Sequence, residues 1–72
     1  MLEFSRHARV QMLLLVIERI EVEAVVASPE RVDVGEATVR YHGVLGGRLL
    51  DVFVLRDSDP PYVVTVSERP PG

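Results

Sequence analysis

The apolar pattern changes period at Ser28-Pro29, so no single type of secondary structure suits the whole chain. Before that point apolar residues recur at helical spacing; after it they alternate with polar ones. Ser5 is a good N-cap, and Ala8, Met12 and Leu15, with Val10, Leu13, Leu14 and Ile17, predict a first helix from about Arg6 to Val16. Glu18 to Ala27 predicts a second, with Ile20, Ala24 and Val25 inward and Glu21 and Glu23 outward. Ser28-Pro29 stops it, because a residue preceding proline is driven out of the helical region.

Beyond Glu30 the period is two. Val32 and Val34 form a short strand, Ala37–Val44 and Arg48–Arg56 flank Leu45-Gly46-Gly47 as a hairpin, and Tyr62–Ser67 is a final strand after the Asp57–Pro61 loop. Residues 1–68 are read as one domain and 69–72 as a flexible tail. With Gly46 and Gly47 at the central turn positions, Val39, Tyr41, Leu50, Val52 and Val54 share an apolar face suited to receive helices. The other face carries Thr38, Arg40, His42 and Val44 against Leu49, Asp51, Phe53 and Leu55, with His42 opposite Asp51 and Arg40 beside them. The expected fold class is α+β: two N-terminal helices on a mostly antiparallel sheet of three to four strands.

At 72 residues the chain is near the lower limit for a single apolar core, which makes a homodimer the expected state. It has no cysteine, which excludes disulfide staples, cysteine-ligated zinc and a disulfide-framed secreted scaffold. The longest apolar run, Met12–Ile17, falls far short of the roughly 20 residues that cross a bilayer. Glu3 beside Met1-Leu2, with no basic region, does not read as a secretory signal. No membrane association and a cytoplasmic location are expected. All eight basic residues are arginine against eleven acidic ones, for a net charge of −3. That balance opposes broad, salt-driven nucleic-acid binding but leaves room for a local arginine patch.

Phe4-Ser5, His7-Ala8, Met12, Ile17, Val22, Val25, Ser28-Pro29-Glu30, Gly47-Arg48-Leu49, Val52 and Val64-Thr65-Val66 together resemble a small prokaryotic family of unknown function, distantly similar to the RelE and BrnT toxins. The resemblance runs from about Phe4 to Val66. It implies two N-terminal helices on a mostly antiparallel sheet whose basic and hydroxyl residues cleave RNA, and it brings a cognate antitoxin into view as a partner. The chain departs from the family pattern in two places. Leu15, Val16, Ile17 and Glu18 replace an arginine-glycine step, an isoleucine and a small polar cap, which removes the glycine stop of the first helix and predicts an apolar patch at Leu15-Val16 that a second copy could cover. Ser67-Glu68 stands where the toxins often place a basic or aromatic residue.

Histidine's ordinary pKa of about 6.5 makes it the usual acid or base. His42 is therefore the candidate base of a metal-independent endoribonuclease, or of an inactive descendant, with Asp51 its orienter. Arg40 would neutralise a phosphate, Arg48 and Arg56 would extend a phosphate-binding surface, and His7 would support the site. The residues call for no cofactor, and two histidines without a carboxylate cluster call for no metal. A second reading is a non-catalytic, dimeric interaction module, supported by the acidic charge and the apolar Leu15-Val16. A third, a purely nucleic-acid-binding domain, has only Tyr41, Tyr62, Phe4 and Phe53 to stack on bases.

Overall fold

A computed structural model describes residues 1–70 of the chain. The elements are β1 (Glu3–Phe4), α1 (Arg6–Leu15), α2 (Arg19–Ala27), β2 (Arg31–Val34), β3 (Thr38–Leu45), β4 (Arg48–Leu55) and β5 (Tyr62–Arg69). The fold is α+β, and its sheet has five strands in the order β1-β5-β4-β3-β2, where three to four were expected. The additional strand, β1, is two residues long and runs parallel to β5, too short to show a period. β5 also extends through Arg69, which the composition had assigned to the tail, and Arg69 pairs with Leu49. Pro71 and Gly72 of that tail lie outside the described residues.

The β3–β4 hairpin has the expected register, from Leu45 opposite Arg48 to Thr38 opposite Leu55. Gly46 and Gly47 have φ of 57° and 82°, and two successive positive φ values are what a two-residue primed turn requires. Leu50, Val52 and Val54 accordingly face the helices and are buried with Val63 and Val66 of β5. Both helices lie on this face, α1 against β5 and α2 against β3 and β4. At Gly43 the approach is so close that an added Cβ would lie 2.8 Å from both methyls of Val25. Gly43 thus serves helix packing within β3 and has no part in the turn.

Ser5 starts α1: its hydroxyl accepts from the Ala8 amide at 2.9 Å and donates to the Val64 carbonyl, tying the helix to β5. α1 buries Ala8 and Met12 and leaves Val10, Leu13 and Leu14 exposed. In α2 the inward residues are Val22 and Val25, whereas Ile20, expected inside, is 70% exposed and Ala24 lies at the surface. The helix offers two apolar stripes, and its approach to the sheet chooses between them. A capping box begins α2, with the Glu21 carboxylate accepting from the Glu18 amide at 2.8 Å.

Without a glycine stop, α1 still ends in a Schellman turn. The Val16 amide donates to the Leu13 carbonyl and the Ile17 amide to that of Met12 at 2.8 Å, with buried Ile17 packing beside Met12. Val16 occupies the left-handed position at φ 54°, which is costly for a β-branched residue. Arg48 compensates by donating to the Leu15 and Val16 carbonyls, satisfying helix-end acceptors with a cation. Leu15 is consequently half-buried against the core, and the exposed apolar patch consists of Leu13, Leu14, Val16 and Ile20 rather than Leu15-Val16. Val16 is 77% exposed, so its replacement loses little burial. Val16→Gly is expected to stabilise the fold by about 1 kcal/mol, the left-handed penalty less the entropy cost of glycine. Urea unfolding at unchanged m-value would show it.

Candidate functional site

The sheet face opposite the helices is built by alternation. Because Leu50 and Val52 point inward, Asp51 points outward; the same parity places Arg40 and His42 of β3, Arg31 and Asp33 of β2, and Ser67 and Arg69 of β5 around it. Asp51 is nevertheless fully buried, and His42 is only 4% exposed. Flanking side chains, rather than a layer of helices, remove them from water.

A carboxylate without exposure must be met by charge. Nη2 of Arg40 donates to Oδ2 of Asp51 at 3.3 Å, and Nε of Arg69 lies 3.1 Å from the same oxygen. Nδ1 of His42 is 2.8 Å from Oδ1 of Asp51, but the ring N–H is not aimed along that line, and neither atom makes an aligned hydrogen bond. On its other side, Nε2 of His42 meets Oδ2 of Asp33 at 2.8 Å, and Nη2 of Arg31 donates to that oxygen at 3.1 Å. Nη2 of Arg31 also lies 3.4 Å from Nε2 of His42, so the tautomer of the ring decides which of these contacts is a hydrogen bond. The Arg40 guanidinium also lies 5.1 Å from the centre of the Phe53 ring, where it makes a cation–π contact and half-covers that aromatic.

His42, Asp51 and Arg40 therefore come together as the hairpin register required. Arg31, Asp33 and Arg69 join them, none of which the sequence had singled out. The alternation Thr65-Ser67-Arg69 was the signal for Arg69, and Arg31-Val32-Asp33-Val34 was that for β2. The remaining expected residues lie elsewhere. His7 is exposed on α1, on the helix side of the sheet. Arg48 points to the helix side, where Glu68 takes its Nε at 3.2 Å and its Nη2 at 2.7 Å in addition to the α1 carbonyls. Arg56 donates to the Gly35 carbonyl at 3.1 Å and pairs with Asp57 at the end of the sheet. These three do not form one phosphate surface with His42. A groove lined by Ile20, Ala24, Leu45 and Arg48 is likewise on the helix side. Among the described residues no group of three or more His, Cys, Asp or Glu is placed to hold a metal ion, and no helix is long and apolar enough to cross a membrane.

The hydrogen bond with His42, aided by the charge of Arg31 and opposed by desolvation, holds the Asp33 carboxyl below its ordinary 3.8. Arg48 does the same for Glu68, below 4.5. A carboxyl depressed in the folded state stabilises the fold above its ordinary pKa and loses that contribution as pH falls through the lower, folded value. The stability difference between the wild-type chain and Glu68→Gln should therefore be full at neutral pH and narrow below about pH 4.5, as read by urea unfolding across the acid range. Asp51→Ala removes the partner of two guanidiniums and an imidazole, and should cost about 3–5 kcal/mol in the same assay at neutral pH.

In comparisons with known proteins, no family model, no curated protein and no solved structure matches this chain.

Proposed function

We propose that the outer sheet face engages RNA and that the protein is a toxin-like, metal-independent endoribonuclease of the RelE/BrnT type, or an inactive descendant of one. The observation that carries this reading is the charge of the face. Arg31, Arg40 and Arg69 outnumber Asp33 and Asp51 there, although the chain as a whole has a net charge of −3. A locally cationic face on an acidic protein favours a phosphate-bearing partner at that place.

In the reaction His42 would take the proton of a ribose 2′-hydroxyl, and the 2′-oxygen would attack the adjacent phosphorus. The bond from phosphorus to the 5′-oxygen breaks, leaving a 2′,3′-cyclic phosphate, and the departing oxygen recovers a proton from the imidazolium. Asp51 fixes the ring and balances its charge, while Arg40 and Arg69 face the charge that develops on the phosphoryl oxygens. The burial of His42 with Asp51, 2.8 Å apart on an arginine-lined face, supports this role.

A second reading is a dimeric interaction module. It is favoured by Leu13, Leu14, Val16 and Ile20, each at least 70% exposed around the junction of the helices, where a second copy or an antitoxin segment would find an apolar surface. The test is cleavage of RNA by the purified protein in the presence of a chelator, beside a His42→Ala, Arg40→Ala double variant and a His42→Gln variant, with circular dichroism to check the fold. Loss of a general base should lower the rate by roughly 10²–10⁴-fold in every folded variant. Equal cleavage by wild type and variants, or none by any, would overturn the ribonuclease reading.

A further inference from the structure

Asp33 holds the nitrogen of His42 that a substrate would need. With Nδ1 turned to Asp51, the working nitrogen is Nε2, and Oδ2 of Asp33 lies 2.8 Å from it. The same oxygen is 3.1 Å from Nη2 of Arg31, so one carboxylate oxygen occupies the meeting point of an imidazole and a guanidinium. The His42 side chain is 5% exposed, whereas those of Asp33 and Arg31 are 48% and 67% exposed. Asp33 is thus the movable, solvent-facing member of the contact. It sits on β2, a four-residue edge strand exposed along its whole length and paired only with β3. Its side chain can swing into water without breaking a strand-to-strand hydrogen bond.

A phosphodiester oxygen is the same kind of acceptor as a carboxylate oxygen, anionic and matched to a guanidinium donor. The charges also agree, since a phosphodiester monoanion would replace one carboxylate charge with one of its own. We infer that the Asp33 carboxylate is a stand-in for substrate: an RNA phosphodiester seats on Nη2 of Arg31, beside Nε2 of His42, by displacing it, which leaves Nε2 free for the 2′-hydroxyl. Arg31 is then a phosphate ligand, and Asp33 is a competitor that keeps the site closed until the chain is offered a polyanion. The inference rests on the RNA reading of the outer face for its ligand, but the seat itself is defined by the three side chains. The depressed carboxyl of Asp33 agrees with an anion held by both partners.

A merely structural Asp33 and a competing Asp33 make opposite predictions for its replacement. Asp33→Asn keeps the shape and removes the charge. Dimethyl phosphate and a 2′-O-methyl RNA oligonucleotide, which lacks the attacking hydroxyl, would be titrated into the wild-type chain, Asp33→Asn and Asp33→Asn/Arg31→Gln, with binding followed by NMR of the His42 ring and arginine side chains. A charge-assisted contact that no longer has to be broken should raise affinity in Asp33→Asn by roughly tenfold or more. The gain should vanish in the double variant. Asp33→Ser serves as the second test should the asparagine variant be poorly folded. Equal or weaker binding by both folded Asp33 variants would overturn the inference, and if the oligonucleotide binds all of them the RNA reading survives alone. A gain for dimethyl phosphate without any binding of the oligonucleotide would support the phosphodiester seat while removing RNA as its ligand.

Discussion

Asp51 lies at the middle of the central strand with no exposure, and its charge has to be met from the neighbouring strands. β3 provides Arg40 and His42, β5 provides Arg69, and β2 enters through Asp33 on the far side of His42. Four of the five strands are therefore joined by one carboxylate and the side chains that meet it. A slip of β4 by one residue would turn Asp51 toward the apolar core of Val22, Val25 and Val63 and would expose Leu50 to water. Apolar alternation and charge pairing select the same register, which is the kind of agreement between levels that gives a sequence one structure.

The hairpin and its register were legible because they depend on neighbouring residues only: two glycines, a two-residue turn, and alternation on either side. The burial of His42 and Asp51 was not. It depends on Arg31, Asp33 and Arg69, which reach the cluster only because β2 and β5 flank the hairpin, and strand order is not written in local pattern. Arg69 stands between Glu68 and Pro70, where composition suggests a tail, although Thr65, Ser67 and Arg69 continue the alternation of β5. On α2, Val25 lies inward as its spacing predicts, but Val22 takes the place expected for Ile20 and Ala24, because both stripes are apolar and only the seating of the helix on β3 and β4 selects one. At Val16 the loss of glycine was visible, but not the arginine from β4 that stabilises the turn without it.

The sheet consequently has two unlike sides. One is dry and filled by valines, leucines and two helices; the other excludes water from a histidine and an aspartate by closing charged side chains over them. Arginine suits the second task because its guanidinium can pair with a carboxylate, cover an aromatic ring as Arg40 covers Phe53, and still face solvent. The acidic residues that set the net charge lie largely elsewhere, on α2 and the connecting loops, so overall composition conceals a locally cationic surface.

The parallel pairing of β1 with β5 bears on how the chain comes to be folded. Residue 5 is bonded to residue 64, 59 positions away, and α1 rests on the strand that is made last among those described. Until residues 62–69 exist, the buried side of α1, with Ala8 and Met12, has nothing to cover it. Such long-range closure slows folding relative to a helical domain of the same size. During synthesis the first helix must wait until residues 62–69 have been made, with its apolar side open to chaperones or to other nascent chains.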